Sequence, residues 1–467
     1  MRRLGFLFLG TLLAALCLAE PQYMGVYLQG QKIGWANFES ESATLNGTEV
    51  KKRTSRTFIS TALLGDALKI EIFSTSFLDD KLRPIQSHFK MSSAGTELDV
   101  RASFFPDRIE AVMSSSGGDS KKTIPVPADA ILVDDPLNDL INARDGTPMA
   151  KRKVHVFAPE SLELVEILIS GVERVKEDEQ GRAVDLFKVT VEDPRAPMNI
   201  FFTAKGDLVK MVGPMGMEFR PEPEDIAKSP SVGKPIDLAN ASRIIPQGQF
   251  PKQSNKLILR IEGGGLKALL SDWNQIVSRD EQGWLVTLLP SHKANREAKI
   301  GEHDASFEKW LGDDVRVPAT DDSIRKLVKE IVGDEKRIAV AAEKITDWIY
   351  ANMGVNAGIG VLRDAREILK KPEGVCRDHA VLAGTLLRSA GIPTRFVNGL
   401  IYESDAYYYH AWVEYWDGSN WIGLDTTRPS DHLSVRYLKT SQGTVGEALT
   451  NFLLDGVRIK VVETHEN

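Results

Sequence analysis

The sequence has 467 residues, of which 42% are hydrophobic and 26% are charged, with a formal net charge of −7. This length and composition are typical of a globular protein with two or three domains, and they exclude a largely disordered chain. The mildly acidic charge argues against nucleic acid or an anionic membrane surface as the main partner.

The first residues have the pattern of a secretory signal peptide. Arg2 and Arg3 precede an apolar run over residues 4–18, and Ala19 is a small residue at the predicted cleavage point. The run is too short to favour a stable membrane span, although an uncleaved N-terminal anchor is the alternative. We therefore predict a signal peptide over residues 1–19 and an exported protein, periplasmic or extracellular, with no stable membrane span after signal removal.

Cleavage after Ala19 would leave one cysteine. The sequence has two, and Cys17 lies within the predicted signal peptide, so only Cys376 would remain. A single thiol cannot form an internal disulfide and is open to oxidation outside the cell. Cys376 is therefore either a buried small hydrophobe or a residue with a chemical role, and its sequence neighbours decide between the two.

Residues 20–220 alternate between apolar and polar side chains, which predicts an antiparallel β domain. Its predicted hairpin turn at residues 204–207 separates two short apolar strands. Prolines then cluster in residues 221–240, a predicted linker. A smaller β segment is predicted over residues 241–320, and its clearest strands are at residues 257–261 and 284–289.

From residue 321 the apolar residues follow the period of helices, which begins the last predicted domain, residues 321–467. Four helices are predicted, near residues 324–331, with Asp322 as N-cap, 338–349, 364–371 and 376–390. Three strands are predicted after them, at residues 394–402, 409–415 and 421–425. Helices followed by an antiparallel sheet predict an α+β domain, so the fold class is multidomain, with a β-rich N-terminal part and an α+β C-terminal part.

Three residues at the edges of these elements predict a Cys-His-Asp catalytic triad. Cys376 begins a helix, where the helix dipole favours a thiolate and the unpaired backbone N–H groups can bind an oxyanion. His410 opens a strand and Asp425 closes the next, so the hairpin at Asp417-Gly418 places the two side by side. Asp425 would then orient His410, which takes the thiol proton of Cys376.

Several short motifs in this region resemble the transglutaminase-like superfamily, a papain-like cysteine fold. They are Gly374-x-Cys376, Gly391-Ile392-Pro393, His410-Ala411-Trp412-Val413 and Trp421-x-x-Leu424-Asp425. The resemblance covers roughly residues 321–435 and implies the same nucleophile, base and orienting acid. Bacterial proteins of this kind include proteases, amidases, crosslinking enzymes and inactive members, so the resemblance leaves the reaction open.

Further predictions concern the surroundings of the triad. Asn356 is the predicted second oxyanion donor, with a loop-capping role as the alternative. Tyr407 and Tyr408, in a predicted loop, and Trp412 are predicted to line the substrate groove, and packing at a strand edge is the alternative. Gly374 is expected to let the substrate backbone approach closely.

The predicted chemistry requires no cofactor. The sequence shows no Asp-rich calcium loop, and a zinc site at these residues would lack a second cysteine or a spaced pair of histidines. His379 follows Cys376 by three residues, and we expect it to be structural or to face the substrate. The expected partner is a protein or peptide substrate.

These features predict an exported thiol enzyme that acts on carboxamide or peptide bonds through a thioester, by protein-glutamine acyl transfer or deamidation. Two alternatives stay open. One is an envelope cysteine peptidase with water as acceptor. The other is a non-catalytic binding or scaffold protein, in which the β region is the working part and the triad is a relic.

Overall fold

The structure is a computed structural model of the chain. It describes residues 22–134, 151–179, 182–251, 254–263, 268–428, 433–449, 454 and 456–465. The predicted signal peptide and its alternative, an uncleaved anchor, lie outside these residues. Within the described ranges, no helix has both the length and the apolar run needed to cross a bilayer. The chain divides into two compact units, one built from most of residues 22–237 and the other mainly from residues 238–467.

The N-terminal unit is built from β-strands, as the alternating pattern predicted. They are β1 (Gln22–Leu28), β2 (Gln31–Leu45), β3 (Thr48–Leu63), β4 (Asp66–Leu78), β5 (Pro84–Ser93), β6 (Thr96–Phe104), β7 (Arg108–Ser115), β8 (Gly118–Pro125), β9 (Arg152–Ala158), β10 (Glu163–Ile169), β11 (Glu173–Glu179), β12 (Arg182–Glu192), β13 (Met198–Phe202), β14 (Leu208–Gly213) and β15 (Met217–Pro221). In β4, Leu68, Ile70 and Ile72 are buried while Lys69 and Glu71 are exposed, so the alternation separates the core side from the solvent side.

Most neighbouring strands of this large sheet are also neighbours in sequence. The order is β8-β7-β6-β5-β4-β3-β2-β1-β15-β14-β13-β12-β10-β9, and β11 pairs with β12 beside this path. Strands β1 and β15 are antiparallel, with Val26 opposite Phe219, so the first and last strands of the unit are adjacent. The predicted turn at residues 204–207 connects β13 and β14, which confirms that hairpin.

Two short helices occur in the Pro-rich stretch predicted as a linker and at its end: α1 (Glu224–Ala227) and α2 (Leu238–Ala241). The border between the two compact units follows Asp237 and falls inside this stretch. The exact domain borders proposed from the sequence, at residues 220, 240 and 320, stay predictions.

The smaller β segment contributes three strands to a four-stranded sheet: β16 (Lys256–Gly263), β17 (Gln275–Asp280) and β18 (Gly283–Leu288). The predicted strands at 257–261 and 284–289 correspond to β16 and β18. The fourth strand comes from the far end of the chain, β25 (Val457–His465), and gives the order β17-β18-β16-β25.

The helices predicted in the last part of the chain are present. They are α3 (Asp322–Val332), α4 (Ile338–Asn352), α5 (Ala365–Lys370) and α6 (Cys376–Ser389). The N-cap of α3 is Asp321 rather than Asp322, because the Asp321 carboxylate accepts a hydrogen bond from the backbone N–H of Ser323. A short parallel pair joins β19 (Gly354–Val355), which follows α4, to β20 (Glu373–Gly374), which lies just before α6.

A second four-stranded antiparallel sheet follows α6. Its strands are β21 (Thr394–Glu403), β22 (Ala406–Trp416), β23 (Trp421–Leu424) and β24 (Tyr437–Gly443), in the order β23-β22-β21-β24, and helix α7 (Val445–Leu449) comes after them. The predicted turn at Asp417-Gly418 joins β22 to β23. Helix α6 packs on β21 and β22, and nearly all of β22 is buried. The C-terminal part is therefore α+β, as predicted.

Candidate active site

Cys376 is the first residue of α6, and its side chain is almost entirely buried, with 4% exposed. The first-turn N–H groups of a helix have no partner within the helix and carry its positive end. A thiol in this position is therefore favoured as a thiolate, and the same N–H groups can bind negative oxygen.

The start of α6 is fixed by Asp378, which is completely buried. Its carboxylate accepts a hydrogen bond from the N–H of Val375 at 2.9 Å and another from Arg363 Nε at 3.0 Å. A Cβ atom on Gly374 would lie 2.6 Å from the Asp378 Cγ atom. Gly374 is thus required because the Asp378 side chain occupies this space, which differs from the expected role of admitting substrate backbone.

His410 and Asp425 lie side by side. The Nε2 atom of His410 is 2.7 Å from Oδ2 of Asp425, and both side chains are about 2% exposed. His410 lies within β22, paired with Gly399 of β21, and Asp425 directly follows β23. The antiparallel pairing of β22 with β23 brings them together, as the hairpin argument predicted.

Both oxygens of the Asp425 carboxylate accept further hydrogen bonds. Oδ1 accepts from the backbone N–H of Thr427 at 3.0 Å and from its hydroxyl at 2.7 Å. Oδ2 accepts from the Tyr437 hydroxyl at 2.9 Å, and Arg428 Nε is 3.7 Å away. These donors hold the carboxylate in one orientation and compensate for the burial of its charge.

Opposing effects act on the pKa of His410. Burial favours the neutral ring and lowers the pKa, but the Asp425 carboxylate and then the Cys376 thiol outweigh burial and raise the pKa from 6.5 to about 9. Because Nε2 is bonded to Asp425, Nδ1 is the ring nitrogen left for Cys376. The arrangement therefore favours an imidazolium beside a thiolate at neutral pH.

A buried arginine lies next to the cysteine. Arg377 donates from Nη2 to the carbonyl oxygens of Ile359 at 2.5 Å and Val361 at 3.2 Å. Burial lowers its pKa from 12.5, while the charges of Asp378 and Cys376 act in the opposite direction. The guanidinium stays charged near neutral pH and adds positive potential at the helix start.

The structure gives Asn356 a loop-capping role. Its side-chain amide donates to Glu373 Oε1 at 2.7 Å, and its carbonyl oxygen accepts from the N–H of Gly358 at 2.9 Å. Its backbone N–H donates to the carbonyl oxygen of Gly374. The side chain is thus engaged in its own turn, so the helix N-terminus is the better-placed oxyanion donor.

The tyrosines predicted to rim a groove are buried strand residues. Tyr407 and Tyr408 belong to β22 and are 0% exposed, and Trp412 is 1% exposed. Trp412 packs in a cluster with Val397 and Tyr437 and contributes nothing to an open surface. The expectation of an exposed aromatic loop is therefore corrected, because β22 is covered along nearly its whole length.

His379 has a structural contact. Its Nδ1 lies 3.2 Å from the carbonyl oxygen of Thr426, the residue after Asp425. This contact joins the first turns of α6 to the segment after β23, so His379 helps to place Asp425 relative to Cys376.

The sequence reasoning missed Tyr437, Thr427 and the Arg363–Asp378 pair. Thr427 could have been found, because a threonine two residues after an aspartate is a common local hydrogen-bond partner. Tyr437 could not, because it enters from β24, and nothing in the sequence predicts the pairing of β24 with β21.

Comparisons with known proteins divide the chain in the same way. Residues 325–426 match the model of the transglutaminase-like superfamily, and residues 22–214 match a protein family of unknown function, DUF3108. An uncharacterized protein of Mycobacterium leprae (strain TN), ML0607, is 32% identical over 119 residues, which are 24% of this chain and 41% of that protein. The chain therefore spans about two fifths of the length of this curated relative.

Two solved structures are similar to parts of this chain at low identity. A candidate cysteine protease from Cytophaga hutchinsonii is 18% identical over 45% of this chain and 90% of its own, with a TM-score of 0.34. A β-barrel-like protein of the domain of unknown function DUF1849 from Brucella abortus is 12% identical over 43% of this chain and 94% of its own, with a TM-score of 0.31. The family match over residues 325–426 confirms the resemblance predicted from the motifs.

Proposed function

Because the C-terminal part of the chain is a transglutaminase-like domain, we propose that the protein is a thiol enzyme acting on carboxamide or peptide bonds through a thioester. The observation that carries the proposal is the buried pair of His410 and Asp425, 2.7 Å apart, together with Cys376 at the start of α6. These three residues are the proposed nucleophile, base and orienting acid.

In the first half of the reaction, the Cys376 thiolate attacks the carbonyl carbon, and the electron pair of the C=O bond moves to the oxygen. The N–H groups at the start of α6 stabilise this oxyanion. When the oxyanion collapses, the C–N bond breaks and the His410 imidazolium gives its proton to the leaving nitrogen. Ammonia or an amine departs, and a thioester and a neutral His410 remain.

In the second half, neutral His410 takes a proton from the incoming nucleophile, which attacks the thioester carbon. Loss of the thiolate restores the Cys376 and His410 ion pair. An amine acceptor gives acyl transfer, and water gives deamidation of a glutamine side chain or cleavage of a peptide bond. Asp425 remains ionised and stabilises the imidazolium in both halves.

The proposed setting is outside the cytoplasm, with a protein or peptide as substrate. Export is inferred from Arg2, Arg3 and the apolar run over residues 4–18. Thiol attack on a carboxamide or peptide carbonyl uses a thiolate, an oxyanion site and a proton donor for the leaving nitrogen. Cys376, the N–H groups at the start of α6 and His410 would supply them.

The first test measures the thiol. Cys17 is replaced by serine so that Cys376 is the only thiol, and the folded protein is alkylated with iodoacetamide from pH 4 to pH 10 with detection by intact mass. An ordinary thiol titrates near a pKa of about 8.5, and a His-paired catalytic cysteine titrates at roughly 3–4. We expect fast alkylation well below pH 7 and an upward shift of the titration in the His410→Ala variant.

Alkylation that rises only near pH 8.5, with no effect of His410→Ala, would favour the scaffold alternative. If the thiolate is present, product masses separate the reactions on a glutamine-containing peptide with an added primary amine. Transfer retains the mass of the amine, deamidation adds about one mass unit, and cleavage gives two fragments, which is the result for the peptidase alternative.

A further inference from the structure

We infer that Tyr437 is a positioning residue of the proposed site: its hydroxyl shares Oδ2 of Asp425 with His410 and thereby limits how strongly Asp425 holds the imidazolium. The inference rests on the proposed function, because it concerns the same three residues. It adds a fourth member that enters from a different strand of the sheet.

The geometry places two donors on one oxygen. The Tyr437 hydroxyl is 2.9 Å from Asp425 Oδ2, and His410 Nε2 is 2.7 Å from the same atom. The Tyr437 ring centroid is 6.0 Å from that of His410 and 5.3 Å from that of Trp412, which it meets at 75°. The phenol therefore acts on the histidine in two ways, by donating to its partner and by covering it.

Tyr437 is the first residue of β24, and β24 pairs with β21. A second hydroxyl, that of Thr427, bonds the opposite oxygen, Oδ1, from within the same turn. Tyr437 is thus the hydroxyl that competes directly with the imidazole for Oδ2, and its placement depends on the sheet.

The hydroxyl remains a donor over the working pH range. Burial and the nearby Asp425 carboxylate raise the pKa of Tyr437 well above its ordinary value of 10. A buried tyrosine hydroxyl without a partner would be costly, so the bond to Asp425 also stabilises the fold.

Other charged groups around the pair come from three elements. Arg428 Nε lies 3.7 Å from Asp425 Oδ2, and its Nη2 donates to Glu403 at 2.7 Å. On the helix side, Cys376 acts on His410 and Arg377 acts on Cys376. All of these charges stay in place when the Tyr437 hydroxyl alone is removed.

Removing the hydroxyl should raise the pKa of His410. A donor to the carboxylate draws negative charge away from the bond that Asp425 makes with the imidazolium. In Tyr437→Phe the ring remains and this donor is lost, so Oδ2 can interact more strongly with the imidazolium, while Arg428 Nε keeps its distance of 3.7 Å. We expect an upward shift of roughly half to one pH unit from the wild-type value.

The test reads the charge of His410 directly, without a substrate. In the protein with Cys17→Ser, the alkylation rates of Cys376 by iodoacetate and by iodoacetamide are measured from pH 5 to pH 11. The anionic reagent is favoured only while the imidazolium is present, so the ratio of the two rates falls at the pKa of His410. We expect this fall near pH 9 in the wild type and at higher pH in Tyr437→Phe.

Tyr407→Phe is the matched control. Tyr407 is also fully buried in the same sheet, and its hydroxyl has no hydrogen-bond partner among the described residues. In this variant, the ratio of the iodoacetate rate to the iodoacetamide rate should fall at the wild-type pH. A purely structural role for Tyr437 would change the melting temperature of Tyr437→Phe but leave the fall at the wild-type pH, which would overturn the inference.

Different results reject the proposed function and the role of Tyr437. If the wild type shows no preference for iodoacetate at any pH, the proposed function fails. If the wild type shows the fall near pH 9 and Tyr437→Phe shows it at the same or a lower pH, only the role of Tyr437 is rejected. Should Tyr437→Phe not fold, Tyr437→Met removes the same hydroxyl with a flexible side chain that adapts to the core, and an unshifted fall in that variant rejects the inference.

Discussion

His410 Nε2 lies 2.7 Å from Asp425 Oδ2 in the C-terminal unit, and His88 Nε2 lies 2.9 Å from Asp99 Oδ2 in the N-terminal unit. Their local geometry is therefore almost the same. His410 and Asp425 are each 2% exposed at the side chain, whereas His88 is 29% and Asp99 15% exposed. Lys90 Nζ also lies 3.1 Å from Asp99 Oδ2, so this carboxylate is shared with a surface cation.

The comparison shows that a histidine–aspartate contact does not by itself make an active site. His88 and Asp99 are partly exposed, so solvent screens their interaction, and Lys90 competes for the carboxylate. In the buried pair, the interaction is stronger, and the Cys376 thiol is the third group of the proposed site. Burial and this third residue distinguish the proposed reactive pair from the partly exposed one.

The largest expected difference between the two pairs is in thiol reactivity. His410→Ala should lower the alkylation rate of Cys376 at pH 6 by roughly 10²-fold or more, because the thiol returns toward its ordinary pKa. His88→Ala, the matched change in the other pair, should leave this rate unchanged. The rates are measured by intact mass. Alkylation of both variants at the wild-type rate would contradict this difference between the two pairs.

The pH dependence of stability sharpens the comparison. The pKa of His410 is raised from 6.5 in the unfolded chain to about 9 in the folded protein. Its contribution is therefore fully present below pH 6.5 and is lost as the pH rises through 9, a change on the order of 3 kcal/mol in the free energy of unfolding.

Asp425→Asn should remove most of this pH-dependent part, because the neutral amide cannot stabilise the imidazolium. Asp99→Asn should retain it. Urea denaturation of the two variants at pH 6 and pH 9.5 measures this pH dependence of the free energy of unfolding. Equal pH dependence in Asp425→Asn and the wild type would mean that Asp425 does not hold the proton on His410.

A third contrast concerns charge pairs away from the proposed site. Glu414, 1% exposed, accepts from Lys439 at 2.8 Å and from Arg395 Nε at 2.8 Å, and both cations also contact Asp272. Glu414→Gln should reduce the free energy of unfolding by about 2 kcal/mol. This is less than for an isolated buried pair, because Asp272 still partners both cations.

The surface pair Lys52–Glu41 is the control for that prediction. Its atoms are 2.7 Å apart, but the side chains are 34% and 63% exposed. Glu41→Gln should change the free energy of unfolding by less than about 0.5 kcal/mol. Chemical denaturation of both variants at neutral pH is the measurement, and similar losses in the two would contradict the role given to burial.

Much of the α+β part was predictable because its signals are local. Helix α6 is marked by an apolar period and by Gly391 after its end, and Asp417-Gly418 marks the hairpin. His410 and Asp425 belong to one hairpin, so a short-range pattern was enough to predict that they meet. Strands β24 and β25 were missed, because they pair with β21 and β16, which are distant in the chain. Strand β17 was also missed, although it pairs locally with β18.

The tyrosines show where local reasoning fails. A run of Tyr407, Tyr408 and Tyr409 is compatible with an exposed loop and with a strand buried on both sides, since tyrosine is amphipathic. Tertiary contacts decide for burial: Phe250 packs against the Tyr407 ring, and Ile244 forms a β-bridge with Tyr407. Local reasoning also fails at Gly374. A side chain is excluded there because a Cβ atom would clash with the side chain of Asp378.

The sequence alone determined the β-rich and α+β parts, the helix that begins at Cys376, and the hairpin that joins His410 to Asp425. These follow from hydrophobic period, turn residues and strand pairing over short distances. The tertiary structure alone decided that Asp425 also binds Tyr437, that Arg363 holds Asp378, and that the whole group is buried. Burial is a property of the assembled core, because it depends on which distant segments pack around a residue. It opposes the charged form of His410, and the buried Asp425 carboxylate outweighs this effect and raises the pKa on which the proposed chemistry depends.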